Sequence, residues 1–157
     1  MIVPQIISIV YKPATLEKRP ENNYSRASIP TAELLVGKGI AGDKKGLPDR
    51  QLNVMLAETV AQLEAEGFKT GPGELGEQIV IAGLNAEEVV SGVRLRMGPS
   101  AVIELIKPRV ACSRFEHIQG QPMKIVRGRI GFIARVVCDG KIEVGSTVAI
   151  EPHEPQT

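Results

Sequence analysis

The sequence predicts a mainly β fold, a closed or nearly closed β-barrel with a few short helices. Three observations carry this expectation. Sixteen glycines and eleven prolines cut the chain into short apolar runs. Eight of those runs have the length and residue types of strands. They do not alternate regularly with long helices, which argues against a doubly wound α/β sheet. A chain of 157 residues fits one domain, long enough to bury roughly 70% of its unfolded surface. The domain is expected over 1–157, with a core of about 3–150 and a flexible Pro-rich tail at 151–157.

The opening Met1-Ile-Val-Pro-Gln-Ile-Ile-Ser-Ile-Val10 has no basic leader and no small-residue cleavage site, so it reads as a first strand, Ile6–Tyr11, rather than a signal peptide. Leu16–Arg26 is polar and turn-like. Further strands are expected at Ala32–Val36, Gln51–Leu56, Gln78–Ile81, Val93–Met97, Ala101–Lys107, Ile130–Cys138 and Thr147–Ile150. One longer helix is expected at Glu58–Glu66, with Val60 and Leu63 on one face and Gly67 ending it. Asp139-Gly140 is a hairpin signal leading into Lys141–Val144.

Nineteen basic against eighteen acidic residues leave a net charge of +1, so no bulk field draws the chain to nucleic acid or membrane. No apolar run approaches the roughly 18 residues of a membrane-spanning helix. Aromatics make up 3% and do not interleave with basic residues, which speaks against single-strand nucleic-acid binding. Two cysteines in different surroundings do not make a disulfide framework. These points give a cytoplasmic protein with no nucleic-acid or membrane partner.

Strand, turn, thiol and positive charge converge at Lys107-Pro-Arg-Val-Ala-Cys-Ser-Arg-Phe-Glu-His117. Pro108 closes the preceding strand because it cannot donate to a ladder. Ser113 and Glu116 have capping-box spacing, Gly120 suits the helix end, and Pro122 follows it. Cys112 would then stand just ahead of a short helix, near Lys107, Arg109 and Arg114, where a thiolate is favoured. A buried structural cysteine fits the same spacing, and the residues alone leave both readings open. Cys138 falls on the more apolar face of Ile130–Cys138 and reads as core.

Two glycine-rich loops follow. Gly37-Lys-Gly-Ile-Ala-Gly-Asp-Lys-Lys-Gly-Leu-Pro-Asp-Arg50 could bring amides and Lys38, Lys44, Lys45 and Arg50 to an anion, but for the loop alone a series of β-turns with solvated lysines is the better reading. Gly71-Pro-Gly-Glu-Leu-Gly-Glu-Gln78 is a turn entering a strand, and Glu77 is either a strand-entry residue or a site carboxylate. With only His117 and His153, and no CxxC or HxxxH, a zinc site built by the protein is not expected.

The ordered set Gly39-Ile-Ala-Gly-Asp43, Pro48-Asp-Arg50, Pro72-Gly-Glu-Leu-Gly-Glu77, Pro108-Arg109 and Cys112, closed by Gly128-Arg-Ile-Gly-Phe-Ile-Ala-Arg-Val136, resembles the MOSC domain, named for the C-terminal region of molybdenum-cofactor sulfurases. The likeness runs from Val3 to Ile150 and is to short stand-alone members. It implies a fold like the pyruvate kinase barrel domain and a molybdenum cofactor (molybdopterin) with Cys112 as catalytic residue and metal ligand. By the same resemblance Arg50, Glu77, Arg109 and Arg114 line the pterin-phosphate pocket; Lys44 and Lys45 stand outside the family pattern, as a different oxyanion contact or as the mark of a member that no longer performs the common reaction. The chain departs from the family pattern at Lys44-Lys45, where many relatives have His, at Ala111 before Cys112, where many have Pro, and at Gln78, where many have Asn. The implied activity is reduction of N-hydroxylated compounds with an electron-donor protein as partner. The alternatives are a sulfur or cofactor carrier with a persulfide on Cys112, serving a cofactor-accepting enzyme, and a barrel that has lost catalysis. No pyridoxal phosphate is expected, because the aminotransferase-like domain of full sulfurases is missing.

Overall fold

Residues 3–13, 26–43 and 51–152 are described by a computed structural model. In chain order the strands are β1 (Gln5–Tyr11), β2 (Ala27–Ser28), β3 (Thr31–Leu35), β4 (Gly39–Ile40), β5 (Leu52–Leu56), β6 (Ile79–Ala82), β7 (Arg94–Met97), β8 (Ala101–Pro108), β9 (Phe132–Cys138), β10 (Gly140–Glu143) and β11 (Val148–Ile150). Two α-helices, α1 (Ala57–Ala65) and α2 (Ser113–Gln119), and short 3-10 turns at Ala86–Glu88 and Met123–Val126 complete the described residues. The eight expected strands are all present, with ends shifted by one or two residues. The two-residue strands β2 and β4 are too short to leave an alternation in the sequence.

Eight strands form one sheet in the order β11-β7-β8-β9-β5-β6-β1-β2, and β10-β3-β4 form a second. Among the described residues all strand pairings are antiparallel except β5 with β6, which α1 connects. The large sheet curls strongly into a half-barrel and does not close, which corrects the closed-barrel expectation. β1, next to one end, approaches the segment that enters β11 at the other, where Gln5 bridges Thr147 and the Ile6 amide donates to the Ser146 carbonyl at 2.9 Å.

β5 has two working faces. Leu52, Val54 and Leu56 point into the half-barrel, joining Ile79, Ile81, Leu95, Ile103, Leu105 and Ala134. Met55 points outward into a second apolar cluster with Leu63 of α1, Phe68, Leu75, and Phe115 and Ile118 of α2. Leu63 and Phe115 are fully buried, and each such side chain contributes about 1.5–3 kcal/mol through burial. Helix α1 follows the expected pattern, Leu63 buried and Val60 against the same cluster, and the chain leaves it through Gly67 at φ +94°.

Two local expectations fail. β10 does not fold back on β9; it pairs with β3, and the Asp139 carboxylate accepts the Val36 amide at 2.7 Å. Cys138 is exposed rather than core. The ladder between β8 and β9 pairs Ile103 with Val136 but Val102 with Cys138, so one extra residue is inserted at Val137. That bulge turns Cys138 to the face opposite Val136.

Gly131 ties β9 to both neighbours: its carbonyl accepts the Arg109 amide at 2.9 Å, and it adopts φ +83°. A Cβ there would run into the Val54 carbonyl oxygen and the Met55 side chain. Gly131→Ala is therefore expected to destabilise the fold by about 3 kcal/mol or more in denaturant unfolding, from strain and backbone overlap together. A loss below about 1 kcal/mol would mean that β5 and β9 are not so closely apposed.

Candidate functional site

The turn Gly71–Glu77 is organised around one carboxylate. Glu77 is 4% exposed, and its Oε2 accepts the Gly73 amide at 2.7 Å while Oε1 accepts the Leu75 amide at 3.1 Å. The backbone adds Glu74 N–H to Gly71 O and Gly76 N–H to Gly73 O, each at 2.9 Å. Arg109 completes the turn from outside: its Nη1 donates to the Leu75 carbonyl at 2.5 Å. Gly76 has φ +79°, and any Cβ on it would meet the Arg109 guanidinium. Glycine at 76 thus lets a buried cation lie directly on the backbone.

A chain of amides fixes this turn to the sheet. Asn53, on the outward face of β5, donates Nδ2 to the Gly76 carbonyl at 3.0 Å, and its backbone amide donates to Gln78 Oε1 at 3.1 Å. Gln78 Nε2 donates at 2.7 Å to Asp43 Oδ2, and Asp43 Oδ1 accepts the Lys12 amide at 3.0 Å. Lys38 Nζ donates to the Asp43 carbonyl at 3.0 Å, so this lysine of the first glycine-rich loop is turned onto the backbone. Asp43, Asn53, Glu77 and Gln78 are all buried, where satisfied polar groups specify one geometry and unsatisfied ones are costly.

The thiol segment leans on the same turn. Gln119 of α2 accepts the Lys69 amide at 2.7 Å and donates Nε2 to the Lys69 and Glu74 carbonyls at 3.0 Å each. Ala111 packs against the second apolar cluster, which contains Leu75. Cys112 follows it, exposed, at the N-cap position of α2 with φ −116° and ψ 176°. Ser113, expected as the cap, is instead the first helical residue. The Glu116 carboxylate accepts the Met123 amide at 3.2 Å, so the expected capping box is not formed. Gly120 ends the helix in the left-handed conformation at φ +68°, as expected.

The fold therefore brings Glu77, Arg109 and Cys112 to one region, with Arg114 half-buried on the first turn of α2. Lys44, Lys45 and Arg50 lie outside the described residues, and so does His153. His117 is exposed on α2. Sequence reasoning did not single out Asn53, Gln119 or Arg26 as parts of the site. For Asn53 a signal existed: an amide in the apolar run Leu52-Asn-Val-Met-Leu56 marks a strand face that meets polar backbone. Gln119 and Arg26 carried no comparable signal.

Burial pushes the Glu77 carboxyl above the usual glutamate range, opposed by the amides of Gly73, Glu77 itself and Leu75 and by the charge of Arg26. A raised folded pKa means that the native state holds this proton more tightly than the unfolded chain. The resulting stability is fully present below the ordinary glutamate pKa and is lost as pH rises through the elevated folded value. The stability of the wild type relative to Glu77→Gln is thus expected to fall with rising pH across that window and to level off above it. A series of denaturant unfolding curves at stepped pH measures the difference; a difference that grows with pH contradicts a desolvated Glu77.

The MOSC domain family profile matches residues 41–149. In structure the chain is similar to YiiM from Geobacillus stearothermophilus, with 24% identity, 95% of this chain and 75% of that chain covered, and a TM-score of 0.71. It is similar also to YiiM from Escherichia coli, with 20% identity, coverage of 97% and 72%, and a TM-score of 0.70. The YUAD protein from Bacillus subtilis covers the whole fold, at 16% identity, 98% of each chain and a TM-score of 0.76. These structural likenesses, all at low identity, establish a common fold. No protein of curated function matches the sequence. Because the family profile spans well over half of the residues, including Asp43, Glu77, Arg109 and Cys112, the chain belongs to the MOSC domain family.

Proposed function

We propose that this MOSC chain binds a molybdenum–pterin cofactor through the Cys112 thiolate and reduces N-hydroxylated compounds. One observation carries the reading: Cys112 is an exposed thiol on a rigid mount, three residues beyond the buried Arg109 and directly beyond Ala111. A thiolate is a soft ligand suited to such a metal. Among the described residues no three His, Cys, Asp or Glu side chains cluster to hold a metal. That donor set fits a group that brings its own chelating atoms and takes one ligand from the protein.

When bound, the group supplies two-electron chemistry in which an N–OH gains two electrons and two protons to give N–H and water, the electrons coming from an external donor protein. The chain's own residues hold and orient. Cys112 ligates. Arg114, with Lys44, Lys45 and Arg50, supplies cations for the pterin phosphate. Arg109 and Glu77 brace the glycine turn beside the thiol, and the burial of both suits positioning better than direct contact with phosphate. Among the described residues no helix is long and apolar enough to cross a membrane, consistent with work in the cytoplasm. The exposure of Cys112 also suits a carrier role, in which a persulfide on this thiol passes sulfur to a partner enzyme.

Cys112→Ala, expressed in a host that makes the cofactor, is expected to retain less than about a tenth of the wild-type molybdenum, as loss of a metal ligand implies. Its thermal stability should be unchanged, because an exposed side chain leaves little cavity. Elemental analysis checks the first, and mass mapping for a persulfide on Cys112 separates the carrier role. Equal molybdenum at high occupancy in both proteins would exclude ligation by Cys112.

The two arginines are expected to differ. Arg109→Ala removes the partner of the buried Leu75 carbonyl and should lower unfolding stability by about 2–3 kcal/mol. Arg114→Ala should leave stability within about 1 kcal/mol while weakening cofactor retention by about 1.5–3 kcal/mol. Unfolding curves and cofactor titration of each apoprotein measure the split.

A further inference from the structure

A cavity of about 210 Å³ opens into the half-barrel core, walled by Val54, Ile81, Val89, Leu95, Leu105 and Phe132. The first five side chains are each at most 8% exposed. The cavity lies on the opposite side of β5 from the thiol segment: Val54 and Leu56 line it, whereas Met55 between them points to Leu75, Phe115 and Ile118. No residue of the Gly71–Glu77 turn or of α2 contributes to its wall.

Close-packed interiors hold few voids larger than a water molecule. An apolar cavity of about 150 Å³ engineered in another protein stays dry and accepts benzene. The present cavity is larger, and its lining is mixed: apolar side chains together with polar surface that includes Thr59 and Arg129. Ordered water needs two to four polar partners, and the lining offers two polar side chains, Thr59 and Arg129. Arg129 is committed to Glu66, with Nη1 on Oε1 at 2.9 Å and Nη2 on Oε2, and to the Ile125 carbonyl at 3.4 Å. The pairing raises the arginine pKa and lowers that of the carboxylate, so the wall presents a matched ion pair rather than a free charge.

We propose that this cavity is a second binding site, for a compact neutral molecule about the size of one aromatic ring with a short substituent, whose single hydrogen-bonding group meets Thr59. The site does not depend on the cofactor reading. A charged ligand is disfavoured, because the apolar part of the wall cannot compensate its desolvation and the one arginine of the lining is already paired with Glu66.

Methyl NMR of the full chain, titrated with phenol and separately with benzoate near neutral pH, tests the proposal. Phenol should shift the methyls of Val54, Val89, Leu95 and Leu105 saturably and leave those of Met55 and Ile118 in place. Benzoate, the same ring with a charge, should bind at least about tenfold more weakly. Glu66→Gln unmasks Arg129 and should narrow that gap at least about threefold. Val89→Trp fills the cavity and should abolish the phenol shifts; should that variant unfold, xenon added to the wild type must move the same four methyls. No saturable phenol shift, shifts centred on Met55 and Ile118, or wild-type shifts in folded Val89→Trp would overturn the site. Equal binding of phenol and benzoate by the wild type would overturn the ligand class.

Discussion

The Glu77 carboxylate, buried in the loop that precedes β6, holds the amides of Gly73 and Leu75 at the same time, and a series of other contacts depends on this. A turn containing Gly71, Gly73 and Gly76 has little conformational preference of its own. With its amides gathered on one carboxylate, it becomes a fixed surface whose carbonyls point outward. Arg109 takes the Leu75 carbonyl, Gln119 the Glu74 carbonyl and Asn53 the Gly76 carbonyl. Those three contacts come from the segment after β8, from α2 and from β5, so a single desolvated group registers three parts of the fold. Its elevated pKa is the electrostatic cost of that arrangement, partly offset by the amides and by Arg26.

β5 is the structural partner of this turn. Its inward residues complete the half-barrel core, and its outward residues Asn53 and Met55 face the site and the second cluster. This two-sided burial explains why α2, only seven residues long, stands in a defined place. Phe115 and Ile118 seat it apolarly and Gln119 fixes it polarly. Cys112 gains a defined position while staying in solvent, as the proposed ligand or carrier role requires. The 210 Å³ cavity lies on the other side of the same strand, so the two regions share a wall without sharing residues of the turn.

Much of the strand pattern was legible because alternation and glycine–proline punctuation are local properties. β1, β5, β7 and β8 follow directly from them. The misreadings came from pairing. Asp139-Gly140 is a good hairpin dipeptide, but β10 found β3 instead, with Asp139 capping Val36. Cys138 was assigned by parity, and one inserted residue at Val137 reversed it. The Ser113–Glu116 spacing matched a capping box, yet the Met123 amide holds that glutamate. In each case a competing partner, or an insertion in a ladder, outweighed a sound local rule.

The sequence by itself determined the mainly β character, the order of the principal strands, the place of α1, and the family, through an ordered set of short motifs that runs from Gly39 through Cys112 to Val136. It did so because strand periodicity, turn chemistry and motif order are written along the chain. The tertiary structure alone decided that the sheet remains an open half-barrel, that Glu77 turns inward onto its own loop, that Arg109 braces that loop, and that both cysteines are exposed. Those outcomes depend on which groups meet across long sequence distances, such as Arg109 with Leu75 and Gln78 with Asp43. Burial and hydrogen-bond satisfaction exist only after the chain has folded, and they decide between side-chain roles that residue spacing leaves equal.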